Sequence, residues 1–263
     1  ASRPADDGHR ASVRTYRQLF GEREFRVLFG TQCLVMASVS IGGLALGTIT
    51  YAATASPVLT ALAMFGGPLV QLVGSQFLLS LSDLLKPRSA LLLVGSTMMV
   101  CEALQAVPGL AWPWRLALMA VPWLVMSATS GTRVALMSEV LPPEAFVLGR
   151  STMNIAVGVM QIAGYGAGGL LLLALSTTDL FLVSAGFLFL AVGWLRLGLA
   201  DRPARARGRT VVRRTRQVNR HLLASSVLRP LYLCLWVPNG LVVGCEALFV
   251  PFAGHAAGYL FAV

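Results

Sequence analysis

FLLSLSDLLKPRSALLLV, residues Phe77–Val94, joins two apolar runs through a short polar bend carrying Asp83, Lys86, Pro87 and Arg88. The runs on either side are long enough to cross a bilayer, and a chain that turns between two such runs must turn in water. Backbone N–H and C=O groups left unpaired in lipid are too costly for the turn to sit anywhere else. Pro87 has no N–H and disfavours helix at the residue before it, so the break falls there. Lys86 and Arg88 hold the bend on the cytoplasmic side. With that one bend placed, the side of every other loop follows by alternation.

Composition agrees with this reading. Of 263 residues, 56% are hydrophobic and only 12% charged, whereas soluble domains carry about a quarter charged residues. Mean hydropathy is +0.72. A net charge of +10 would elsewhere suggest nucleic acid. Here the basic residues lie almost wholly between the apolar runs, where they set topology, so no nucleic-acid partner is expected. Cys33, Cys101, Cys234 and Cys245 all fall in apolar segments without C-x-x-C spacing, and read as packing residues rather than ligands or disulfides. No phosphate-cradle, zinc-protease or nucleophile-elbow motif is present, so neither an enzyme nor a bound cofactor or metal is expected.

Outward from the bend, the spans read Val27–Thr50, Val58–Ser82, Ala90–Val107, the run from Trp112 to about Leu136, Ser151–Leu175, Leu180–Leu199 and Leu231–Val250. Residues 256–263 read as the start of an eighth, cut off. The chain divides into a cytoplasmic N-terminal segment (1–26), a six-helix bundle (27–199), a basic cytoplasmic linker (200–230) and the start of a second bundle (231–263). In the N-terminal segment Tyr16, Leu19, Phe20 and Phe25 recur among arginines, as in a short helix lying on the membrane surface. In the linker Val211, Thr215, Val218 and Leu222 share one helical face. The N-terminal segment holds six arginines and the linker nine. The alternate loops hold only Arg115, so both basic segments are expected inside the cell. Small residues at helical spacing, Gly43 with Gly47 and Gly164 with Gly168 and Gly169, mark faces for close helix packing.

The bend resembles the signature of the major facilitator superfamily, G-x-x-x-D-[RK]-x-G-[RK]-[RK]. Asp83 and Arg88 fall on its acidic and last basic positions, while Leu79, Leu84, Lys86 and Pro87 differ from it. The fifth span is similar to the G-x-x-x-G-P-x-x-G-G pattern of exporters in that superfamily. Gly164, Gly168 and Gly169 match, and Met160 and Tyr165 stand at the other fixed positions. The segment from Gly131-Thr132-Arg133 to Pro142-Pro143-Glu144 looks like the end of the fourth span in efflux members. The resemblance implies an all-α integral membrane protein with a six-helix bundle of 3+3 inverted repeats, followed by a seventh helix and a truncated eighth. It implies secondary active transport in the cell membrane: proton-coupled efflux of a small amphipathic organic solute by alternating access. The partners would be the bilayer, the solute, protons and the missing C-terminal half of the same chain. A membrane subunit of an ATP-driven pump is the alternative.

Charges within or near the spans need a reason, since one at the bilayer centre costs about 2.5–3.5 kcal/mol on insertion scales. Asp83, Arg88, Arg133 and Glu139 read either as a cytoplasmic gate or as solvated interface charges. Glu102 and Gln105 share a face of the third span, where a carboxyl could carry a proton or serve as a hydrogen-bonded structural group. Glu246, on one face with Asn239 in the seventh span, is the stronger candidate for proton coupling or substrate contact, its other reading being an interfacial carboxylate. Gln32, Asn154 and Gln161 are lesser cavity candidates that helix–helix hydrogen bonding also explains.

Overall fold

A computed structural model describes residues 16–78 and 85–203, together with 224–226, 229–231, 233–234, 237–238 and 241. Asp83, Asn239, Glu246, the Val211–Leu222 face, most of the seventh span and all of the eighth lie outside the described residues. Among those described there is no strand. The helices are α1 (Tyr16–Leu19), α2 (Arg23–Thr54), α3 (Pro57–Leu78), α4 (Pro87–Gln105), α5 (Trp112–Val140), α6 (Pro143–Leu171) and α7 (Thr177–Gly198). Helices α2 to α7 coincide with the first six expected spans. Four of them, α2, α3, α6 and α7, are long and apolar enough to cross a membrane on their own composition. Arg88 and Glu102 dilute α4, and Arg115, Arg133 and Glu139 dilute α5.

The helix ends follow local chemistry. Pro87 takes the first turn of α4, where its missing N–H costs nothing. Pro143 does the same for α6, so only Leu141 and Pro142 separate α5 from α6. Residues 138–150, which fell between the fourth and fifth expected spans, are therefore mostly helical. Ser176, expected in a turn, is the N-cap of α7. Its Oγ accepts from the Asp179 N–H at 3.2 Å while its own N–H donates to Asp179 Oδ2 at 3.0 Å, closing a capping box.

The exterior of the bundle is apolar, unlike a water-soluble protein's. On α6, Val147, Ile155, Val159, Ile162 and Leu170 are all exposed, at spacings that place them along one side. Helices α3, α4 and α7 present similar apolar rows, through Val58, Leu69 and Val73, through Leu93 and Val100, and through Leu182, Phe189 and Leu197. Thr31, Ser38, Ser40, Thr50, Ser127, Thr129, Thr132 and Ser184 are buried. An apolar exterior of this extent has no stable place in water. Polar groups directed inward and apolar groups outward suit a helical bundle immersed in lipid.

The helix pairings have a regularity of their own. Helix α2 packs on α7, α6 and α3; α5 packs on α4, α3 and, thinly, α6; α4 packs on α7. Exchanging α2 with α5, α3 with α6 and α4 with α7 returns the same set of pairs. The connections Ala55–Ser56 and Leu141–Pro142 are too short for anything but antiparallel neighbours. The Glu24–Arg202–Glu139 and Lys86–Asp201 pairs set the starts of α2 and α4 beside the ends of α5 and α7, so the exchange also reverses the direction of every helix.

Glycines permit the closest of these approaches. A Cβ on Gly164 would lie 2.7 Å from Ser40 Cβ and 3.4 Å from Ala37 Cα, and one on Gly168 would lie 3.1 Å from a Leu44 methyl and 3.6 Å from Ile41 Cα, all on α2. On α2 itself, a Cβ on Gly47 would meet Met64 Cγ of α3 at 2.6 Å, while Gly43 leaves 3.6 Å to the Met64 carbonyl. Gly169, beside this seam, is half-buried. Gly164→Val is expected to lower stability by about 1–3 kcal/mol, the usual cost of overpacking, read as a lower melting temperature of the detergent-solubilised protein. An unchanged melting temperature would mean that α2 and α6 can separate freely.

The N-terminal segment departs from the surface-helix expectation. Helix α1 is a single turn, and Leu19 and Phe25 are both fully buried against Leu136, Leu141, Ala145 and Met153. Phe20 meets the Phe25 and Phe29 rings edge-on, with centroids 5.5 and 5.0 Å away. Burial of each such side chain contributes about 1.5–3 kcal/mol. The segment therefore plugs one end of the bundle through its apolar residues, leaving Arg17, Arg23 and Arg26 exposed.

Candidate functional site

Three groups of polar side chains occupy the bundle, one at each end and one along its interior.

At the end where α2 begins and α7 finishes, the charges are tied to one another. Glu24 accepts from the Ala200 N–H at 3.0 Å and from Arg202 in a bidentate pair, Nη1–Oε1 at 3.1 Å and Nη2–Oε2 at 2.5 Å. The Arg202 Nε lies 3.7 Å from Glu139 Oε2 of α5. Hydrogen bonding to Glu24 pushes the Arg202 guanidinium further above its already high ordinary range. Lys86 Nζ pairs with Asp201 Oδ2 at 2.9 Å. Arg88 donates to the Arg196 carbonyl and Arg23 to the Leu197 carbonyl at 3.4 Å. Two arginines thus cap the carbonyl end of α7, the negative pole of its helix dipole.

Of the four expected gate residues, Arg88 and Glu139 belong to this network. Arg88 reaches a backbone carbonyl and Glu139 reaches Arg202. Arg133 lies deeper, and Asp83 is outside the described residues. Sequence reasoning missed Glu24 and Arg202. Their signal was an acid within the basic N-terminal segment and a first arginine directly after the sixth span. Arg202→Ala is expected to cost about 2 kcal/mol, the scale of a charge-assisted pair that is mostly buried. A double-mutant cycle with Glu24→Gln checks this: additive losses would mean the pair is not coupled.

At the opposite end Arg115 is buried. It donates to the carbonyls of Gln105, of Leu110 at 3.0 Å and of Val107 at 3.3 Å, and the Gln105 amide donates back to the Arg115 carbonyl at 2.9 Å. Its guanidinium also lies 5.8 Å from the Phe181 ring centroid. The α4–α5 turn passes through Gly109 at φ +77°, a conformation that glycine adopts without strain. The one arginine that breaks the loop-charge pattern is therefore spent on capping α4 rather than left facing the solvent.

The interior holds Glu102. A Cβ on Gly42 of α2 would lie 2.7 Å from both carboxyl oxygens, so any larger residue there would push the carboxyl out of its present position. Ser184 of α7 stands beside it and shares a 2.6 Å hydrogen bond with Ser38 of α2. Glu102 Oε2 is buried without a hydrogen-bond partner, as is Gln105 Oε1 one turn on. Both residues border a small cavity of about 40 Å³ between α2, α3, α4, α5 and α7. A second cavity of about 290 Å³ continues from it toward the α2 N-terminus, with Val39, Met98 and Trp123 lining both. Gln32 and Arg133 line the larger one. Gln161 on α6 is half-buried and borders neither, and Asn154 is exposed. Among the described residues, no three His, Cys, Asp or Glu side chains come together in a way that could hold a metal ion.

No family model and no curated protein sequence matches the chain.

Proposed function

We propose that this protein is a secondary active transporter of the major facilitator type that couples export of a small amphipathic organic solute to protons. The observation that carries the reading is the buried Glu102 carboxyl, one oxygen unpartnered, bordering a small interior cavity that shares three wall residues with a larger one. A carboxyl held away from water inside a membrane bundle needs a reason, and exchange of a proton during transport supplies one. The pairing of helices supports the architecture. Exchange of α2–α4 with α5–α7 is the relation expected of inverted 3+3 repeats.

In this reading the Glu24–Arg202–Glu139 network faces the cytoplasm and the Arg115 turn faces outward, in the plasma membrane, with the N-terminus inside. The six helices rock as one body against a second bundle. Arg202 and Asp201 lie where the linker leaves α7, so their pairs with Glu24, Glu139 and Lys86 anchor the linker's first residues to the body that moves.

Full-length protein in proteoliposomes tests this. With an imposed pH gradient and no ATP, it should move amphipathic organic cations or anions and shift the pH reported by a trapped dye. Flux of neither kind of solute would contradict the reading, and strict ATP dependence would favour the pump subunit.

A further inference from the structure

The larger cavity contains a cation. Arg133 of α5 is half-buried on the wall of this cavity, and among the described residues its guanidinium makes one long hydrogen bond, 3.5 Å from Nη1 to the Leu28 carbonyl. No carboxylate among the described residues forms an ion pair with it. That carbonyl is also shared, since Thr31 Oγ1 donates to it at 3.1 Å. A half-buried guanidinium with no carboxylate beside it among the described residues is costly, and unlike lysine it does not shed its proton. The side chain lines the cavity.

The rest of the lining fits one kind of guest. Gln32, Gln71 and Thr129 supply further hydrogen-bonding groups on the walls around Arg133, while Met36, Met126 and Trp123 supply a soft apolar surface. Methionine adapts its shape to different guests and makes favourable contacts with aromatic rings. A volume of about 290 Å³ is at the lower end of small-molecule sites and suits a bicyclic acid. Guanidinium binds a carboxylate through two parallel hydrogen bonds, a geometry that ammonium cannot copy.

We propose that this cavity is a binding site for an amphipathic organic anion, its carboxylate on Arg133 and its apolar body against Trp123, Met36 and Met126. The inference rests on the transporter reading only for its physiological meaning, because the site is defined by binding.

The test is equilibrium binding of tritiated 1-naphthoate to the full-length protein in nanodiscs, with 1-naphthamide as the uncharged isostere. Naphthoate should bind saturably and the amide at least about 30-fold more weakly, the scale of a desolvated charge pair. Arg133→Gln should bring the two ligands together, and Arg133→Lys should fall between it and the parent. Equal binding of acid and amide by the parent protein would overturn the proposal without any need for a variant. So would undiminished naphthoate binding by folded Arg133→Gln. Failure of the transporter reading looks different: naphthoate would bind through Arg133, yet no solute would cross proteoliposomes under a pH gradient. Conversely, flux of cations with no naphthoate binding would leave the transporter and remove the anion site.

Discussion

Glu102→Gln is expected to reduce pH-gradient-driven flux by about 100-fold or more, the scale of losing a proton-transfer group, with the protein still inserted and folded. The substitution keeps the shape that fits the space left by Gly42, so packing is preserved while the proton site is lost. Solute counterflow, which needs no net proton movement, should continue at near-parental rates. Measuring both in the same vesicles separates coupling from binding. If driven flux survives with its pH dependence intact, Glu102 is a structural group, and the proton would have to be carried by another carboxyl such as Glu246.

Arg115→Ala has the largest expected effect on stability. The side chain satisfies carbonyls of Gln105, Val107 and Leu110 at once and rests on Phe181. Each hydrogen bond to a charged group is worth about 1.5–3 kcal/mol, and truncation leaves several carbonyls without a donor at the end of α4. The combined loss should reach about 3 kcal/mol or more and appear as a large fall in melting temperature. Arg115→Lys should recover less than half, because a point charge cannot span three diverging carbonyls. A loss below about 1 kcal/mol would mean that water replaces the guanidinium, as at an exposed helix end.

The helices were legible because each apolar run announces itself by length and each break by a proline or a polar cluster. Pro87 marked the break before α4, although the expected span began three residues later, at Ala90. Pro143 did not, because a proline at the first turn of a helix and a proline in a loop look alike until the helix behind it is seen. The glycine faces were legible as spacings, but which helix each one meets was not, since that depends on how the spans are arranged around one another.

The charges were read least well. Arg133 and Glu139 sit six residues apart on one helix and were grouped by that nearness. The fold sends Glu139 to Arg202 at the bundle's end and Arg133 into the interior. The sequence favours Glu246 over Glu102 for proton coupling, and nothing in it shows what the Glu102 carboxyl faces. In the bundle its carboxyl turns toward α2, where Gly42 makes space for it. No feature of residues 100–105 alone carries that information. Arg115 was counted as a loop charge, when the folded turn buries it.

Transport of this kind requires the helices to cross the membrane with the Glu24–Arg202 end inside. Impermeant thiol labelling of intact cells tests that directly, with the four native cysteines replaced by serine and single cysteines placed at Pro108 or Pro203. Both positions are exposed, at opposite ends of the bundle. Pro108→Cys is predicted to react from outside and Pro203→Cys only after the cells are opened. Rapid labelling of Pro203→Cys in intact cells, with Pro108→Cys protected, would contradict the account.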